Sequence, residues 1–215
     1  MRAQGASQRV KRLVDRPPLL ILQAVLQRIP FHPIQIAHFE VLRFEAMARQ
    51  HAVCDNSDNL LREAMPCDIE GLVRCLDKRD VYARRFAAGD SCIACIMEGR
   101  IIGYEWLCTH QYHIEEQSGY KLQIPDDSIY AYDAYVRPED RRRGVWLRIQ
   151  EHITRRLGQV GKKSIIAMIE YGNDVSRKTH LSYGYSPVQM VWYMRIFCFK
   201  FFKLIEIMST ASRNN

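Results

Sequence analysis

Tyr135-Val136-Arg137-Pro138-Glu139-Asp140-Arg141-Arg142-Arg143-Gly144-Val145-Trp146-Leu147 is the stretch on which the reading of this chain turns. The Tyr- and Ile-rich run Ser128 to Val136 predicts a strand, Pro138 interrupts it, and Gly144 permits tight backbone entry into a helix expected from about Val145 to Gln159. The turn between them carries four arginines, Arg137 and Arg141 to Arg143. Unpaired N–H groups at a helix start carry partial positive charge, and arginines add to it, so this end suits an anion, most naturally a pyrophosphate. A solvated basic turn with a glycine cap accounts for the same residues.

Outward from that turn the chain alternates strand and helix signals. Leu60 to Met65 reads as a short strand, Asp68 caps a helix over Ile69 to Leu76, and a second helix runs from about 79 to 88. Ser91 to Met97 and Ile101 to Thr109 flank the turn Glu98-Gly99-Arg100 as a hairpin, followed by a polar loop of about 18 residues. Beyond the central helix come a strand over Ser164 to Ile169, a helix over Val175 to Tyr183, and a last strand or pair of strands over Val188 to Phe197. The order β, α, α, β, β, β, α, β, α, β predicts an α+β (α/β) domain with a mixed, mostly antiparallel sheet flanked by helices. Residues 1–57 are expected to form a basic, partly amphipathic helical extension, with helices over Leu19 to Ile29 and Ile34 to Gln50 and a linker at Cys54 to Asn59. The sheet domain then takes 58–200 and a tail 201–215.

With 215 residues, 47% hydrophobic and 26% charged, the chain buries a core and is neither disordered nor low in complexity. No apolar run reaches the roughly 18 to 20 residues that span a bilayer. Seven cysteines at 54, 67, 75, 92, 95, 108 and 198 are an odd number without framework spacing, which points to a reducing compartment, the cytoplasm. A net charge of +7 favours phosphates or anionic lipid. No RNA-binding motif or helix-turn-helix signature supports nucleic acid. Five Lys or Arg against one Asp in residues 1–16, and Phe197, Phe199, Phe201 and Phe202 with Lys200 and Lys203 near the other end, fit either an anionic membrane surface or packing onto the domain or a dimer mate.

The central segment and the element order together resemble the GNAT superfamily of acyl-CoA-dependent N-acyltransferases over about residues 60–199. In that family a strand ending in Val and a Pro-Glu turn leads to a (Q/R)-x-x-G-x-(G/A) loop around the coenzyme A pyrophosphate. Arg141, Arg142, Arg143, Gly144 and Val145 follow the pattern, while Trp146 stands where the family prefers Gly or Ala. Asn173-Asp174-Val175-Ser176 is similar to the family's N-x-x-(A/S) entry to a helix that ends at a G-(F/Y) step, here Gly184-Tyr185. The resemblance implies acetyl-CoA or a longer acyl donor, an amine acceptor, and cofactor contacts from Tyr135, Val136, Arg141 to Trp146, Asn173 and Ser176. It further implies that Asp133 is the general base and that His180, seven residues after Asn173 where the family often has Tyr, is the acid.

An amine with a pKa near 10 must lose a proton before it attacks a thioester, and the thiolate must gain one, so acid and base groups are expected. Tyr183, three residues beyond His180, is a reserve acid, and Glu105 in Gly103-Tyr104-Glu105-Trp106 a second base if burial raises its pKa. The loop carrying His110, His113, Glu115 and Glu116 lacks a cysteine at ligand spacing; no metal site is expected there, and the loop is read instead as lying over the acceptor pocket. Cys92 and Cys95, three apart on a strand, face opposite sides and are read as apolar fillers. A carrier-protein acyl donor and a non-catalytic basic binding domain remain open alternatives.

Overall fold

The structure, a computed structural model, describes residues 18, 22, 25–26, 34–46, 60–116 and 118–207. Leu22, Val25 and Leu26 are helical, as the spacing predicts; the basic lead-in 1–16, the linker 54–59 and residues 208–215 lie outside the described residues. The chain divides into two units, one of Leu42–Met168 and Thr179–Ser186, the other of Met1–Val41, Ile169–Lys178 and Pro187–Asn215.

In the first unit the strands follow the order β2 (Leu61–Glu63), β3 (Ser91–Met97), β4 (Arg100–Cys108), β7 (Ser128–Val136), β8 (Ser164–Glu170). The neighbours pair antiparallel except β7 with β8, which run parallel. The short α1 (Ile69–Val73) and α2 (Arg79–Ala87) lie on the face of β4 that carries Tyr104 and Trp106: Tyr82 and Phe86 of α2 meet Trp106 at ring distances of 5.8 and 4.8 Å. Strand alternation turns Gly103 and Glu105 to the other face, where α3 (Val145–Arg156) packs. Gly103 sets that approach, because a β-carbon there would lie 2.8 Å from Val145 Cγ1 and 3.0 Å from the Tyr135 carbonyl. The core is built from Leu72, Tyr82, Tyr104, Trp106, Tyr130, Ile149 and Ile165, all fully buried. The polar loop after β4 folds into a small hairpin, β5 (Tyr112–Ile114) and β6 (Lys121–Gln123), which the sequence reading does not anticipate.

In the second unit β9 (Ser186–Ile196) lies between β1 (Ile34–Glu45) and β10 (Phe199–Glu206). Two expectations are corrected here. Ile34 to Glu45 is a strand, not a helix, so the extension boundary at residue 57 cuts off a strand of the fold. Phe201–Glu206 is not a separate tail: it continues β10, paired antiparallel with β9 from Phe199↔Ile196 to Glu206↔Gln189. All eight residues of β10 are exposed. Helix α4 (Asp174–Tyr183) joins the two units along the chain. Among the described residues no helix is long and apolar enough to cross a membrane, and Cys67, Cys75, Cys92, Cys95, Cys108 and Cys198 are free thiols. Cys92 and Cys95 are fully buried, as fillers would be.

Candidate active site

The arginine loop is built from backbone strain and an uncapped helix. After Val136 the chain makes one 3-10 turn at Pro138–Asp140, then Arg142 (φ 63°) and Gly144 (φ 73°) enter the left-handed region on either side of Arg143. Left-handed backbone alternating with right-handed backbone turns successive N–H groups into one concavity, the geometry that grips anions. No side chain caps α3 and its first turn holds no acidic residue, so its leading N–H groups remain available. Gly144 is needed for its φ alone, since a β-carbon there would meet nothing within 4 Å. Arg141, Arg142 and Arg143 are exposed; Arg141 Nε donates to the Val136 carbonyl (3.1 Å) and Arg143 Nη1 to Asp140 Oδ1 (3.2 Å). Trp146 turns inward from this loop, its ring 4.6 Å from His180 and 5.7 Å from Tyr183.

Beside the loop β7 and β8 part company. Their register runs from Ser128↔Ser164 to Ala131↔Ala167, after which, among the described residues, Tyr132, Tyr135 and Val136 pair with β4 and not with β8. Asp133, at φ 46°, bulges within this stretch, opposite a register shift between Tyr104 and Trp106. The unshared edge of β7 can hydrogen-bond an extended chain, and it ends at the arginine loop.

The four candidate acid–base residues fall on two faces. Asp133 lies on the α2 side, with Lys78 Nζ at 2.9 and 3.2 Å and Arg85 Nη1 at 2.5 Å. Arg85 is buried, stacks over Tyr132 (4.8 Å) and Trp106 (5.3 Å), and also meets Glu116 at 3.3 Å. Both oxygens of the Asp133 carboxylate are therefore engaged by cations. Glu105 is buried on the α3 side, where desolvation pushes its pKa up to about 8 against hydrogen bonds from Gln150 and Trp146. Gln150 Nε2 donates to Glu105 Oε2 at 2.5 Å, and Tyr185 Oη donates to Gln150 Oε1 at 2.8 Å. His180 and Tyr183 are buried on the same side: His180 packs on Tyr185 at 5.0 Å, and the Tyr183 hydroxyl meets Thr154 Oγ1 at 3.1 Å.

The structure therefore groups Glu105, His180, Tyr183 and Trp146, and places Asp133 on the opposite face of the β4–β7 pair. Tyr135 stacks on Tyr104 at 5.8 Å. Asn173 and Ser176 belong to the other unit, where Asn173 Oδ1 accepts the Ser176 N–H at 3.3 Å and begins α4. Lys78, Arg85 and Gln150 are partners the sequence reading does not name, and Tyr185 enters it only as the step after the helix; only Gln150, four residues after Trp146 on one helix face, had a spacing signal.

The loop over this region holds its own surprises. His113 stacks on Tyr130 (5.0 Å) and Tyr132 (4.5 Å) and burial lowers its pKa, while burial raises that of Glu115. A cysteine does stand near its histidines: one donor atom each of Asp90, Cys108 and His110 lies within 4.8 Å of the others. Asp90 already accepts the Tyr132 hydroxyl at 2.7 Å, and His110 Nε2 sits 3.0 Å from the Ala88 carbonyl.

The parallel pair that splits, the bulge, the arginine loop and the helix after it form one arrangement, and solved structures resemble the chain's fold as a whole. A functionally unknown conserved protein from Staphylococcus epidermidis matches 85% of this chain and 69% of its own at 12% identity and a TM-score of 0.54. A Drosophila protein matches 90% and 58% at 15% identity and a TM-score of 0.54. A Novosphingobium aromaticivorans protein described as a putative acetyltransferase from the GNAT family matches 75% and 66% at 11% identity and a TM-score of 0.49. These likenesses are of fold alone. No protein-family model and no curated protein matches the sequence.

Proposed function

We propose that this chain is an N-acyltransferase that takes an acyl group from coenzyme A, in the simplest case acetyl, and transfers it to a primary amine of a small molecule or sugar. The observation that carries the reading is the loop: left-handed Arg142 and Gly144 lead three exposed arginines into the uncapped start of α3, at the end of an unshared strand edge. Backbone N–H groups and arginine forks there suit a diphosphate, and the free edge of β7 from Tyr132 to Val136 suits an extended amide-bearing arm.

The proton chemistry follows from the surroundings of each group. Glu105, with a pKa of about 8, is protonated at neutral pH and can give a proton rather than take one. Asp133, the base this reading requires, is held by Lys78 and the more deeply buried Arg85. His180 and Tyr183, buried beneath Trp146, hold the indole turned away from the loop.

Calorimetric titration with acetyl-CoA tests the reading. Binding by the native chain, weakened at least about tenfold (1.4 kcal/mol) in Arg143→Glu, is the expected result. Absence of binding to both acetyl-CoA and a long-chain acyl-CoA removes the coenzyme A reading and leaves a carrier-protein donor or a non-catalytic basic domain.

A further inference from the structure

Two strand ends bring three donor side chains together at the base of the β5–β6 hairpin. β3 and β4 pair antiparallel with Ser91 opposite Leu107, so one step further along the ladder sets Asp90 opposite Cys108, the last residue of β4. His110 follows Cys108 by two positions, the spacing that keeps two side chains on one side of an extended chain. The loop after β4 carries no cysteine of its own; the one that completes the set closes the strand before it. One donor atom each of Asp90, Cys108 and His110 lies within 4.8 Å of the other two, and His110 Nε2 is 4.0 Å from Asp90 Oδ1. Donors around one tetrahedral zinc ion stand roughly 3.3 to 3.8 Å apart, so the set needs only a small closure. His110, with a side chain 53% exposed, is the member that can supply it.

Asp90 supplies the second observation. Its side chain is 8% exposed, and its Oδ1, the oxygen that faces His110, is buried with no hydrogen-bond partner among the described residues. Oδ2 accepts the Tyr132 hydroxyl at 2.7 Å, which fixes the carboxylate from behind. The Cys108 thiol does not answer Oδ1, since its sulfur donates to the Tyr112 carbonyl at 3.9 Å. Among the described residues the only basic group within 4.0 Å of this carboxylate is the His110 imidazole. A buried carboxylate without a cation is costly, and the groups that answer one are a paired cation or a metal ion.

We propose that Asp90, Cys108 and His110 bind one zinc ion, with the fourth position left to water on the exposed side of His110. Thiolate and imidazole together select zinc over calcium and magnesium, which take oxygen donors, and the two anionic ligands balance the charge of the ion. Burial and the Asp90 carboxylate push the Cys108 thiol up to about 11; the ion replaces that proton, which passes to solvent as the zinc–sulfur bond forms. His110 Nε2 stands 3.0 Å from the Ala88 carbonyl, a contact it gives up when its lone pair turns to the ion. The bound ion ties the start of β3, the end of β4 and the lead-in to β5 together, and so fixes the base of the β5–β6 hairpin. All three ligands belong to one unit of the chain, and the site does not depend on the acyltransferase reading.

The test is a zinc titration of the full chain, reduced and metal-free, against a chromogenic chelator, with calcium chloride as a separate arm. Zinc binds one to one and raises the melting temperature, while calcium does neither. His110→Ala, at an exposed position that leaves the core intact, weakens zinc binding at least about tenfold and loses the thermal shift. Cys67→Ser with Cys198→Ser, which removes two exposed thiols outside the cluster, leaves both unchanged. Cobalt(II) in place of zinc gives the charge-transfer absorption of a thiolate ligand, and Cys108→Ser abolishes it. Absence of one-to-one zinc binding, equal binding of calcium, unchanged binding by His110→Ala, loss of binding in the Cys67 and Cys198 double variant, or a cobalt spectrum without the thiolate band each overturns the proposal.

Discussion

Glu105 offers a prediction whose size comes directly from its surroundings. The carboxyl is completely buried under α3, and desolvation moves its pKa from 4.5 to about 8. Below pH 4.5 both the folded and unfolded chains hold the proton, and the group's contribution to stability is fully present. Between pH 4.5 and 8 the unfolded chain releases the proton while the native state keeps it, so stability falls as pH rises, by up to about 1.4 kcal/mol per pH unit. Across the whole window that amounts to roughly 5 kcal/mol. Glu105→Gln keeps the acceptor for Gln150 and cannot ionise, so it lacks this slope. Urea unfolding of both proteins at pH 5, 6, 7 and 8 gives the difference: the variant should gain on the native chain steadily with pH and level off above pH 8. Parallel stability curves would refute the reasoning, because they would mean that Gln150 and Trp146 hold Glu105 as an anion in the native state.

Other substitutions probe the loop and its neighbours. Gly144→Ala forces a side chain into the left-handed region with no clash to confuse the result, and should cost about 1 kcal/mol in thermal unfolding while weakening acetyl-CoA binding. Asp133→Asn strips buried Arg85 of its closest countercharge and should destabilise by about 3 kcal/mol in urea; adding Arg85→Met should recover part of that, and full additivity of the two would argue against the pairing. Tyr185→Phe removes the buried donor to Gln150 and should cost about 1 to 2 kcal/mol, with a flatter pH dependence expected only if Glu105 feels the loss.

How far the sequence carried this reading depends on where each signal is stored. The arginine loop was legible because a glycine at positive φ and a change of period from strand to helix are local properties of thirteen consecutive residues. The strand β1 was not, for an equally definite reason. Ile34, Ala37, Val41 and Leu42 satisfy the i, i+3, i+7, i+8 template of a helix, so the spacing alone suggests one. The structure buries Ala37, His38 and Phe39 in succession, then Val41, Leu42 and Phe44, so both faces of the strand are covered and its period-two alternation disappears. Its Ile, Phe and Val content was the surviving clue. The hairpin β5–β6 escaped because three-residue strands with polar ends carry no period at all. The same division governs the site. Residues that matter through their own backbone, such as Arg142 and Gly144, can be found along the chain, whereas those that matter through a partner cannot. Asp133 reads as a free base until Lys78 and Arg85 arrive from a helix about fifty residues earlier, and Asp90 reads as one more polar position until the β3–β4 register sets Cys108 opposite it. Each of those pairings was decided by topology.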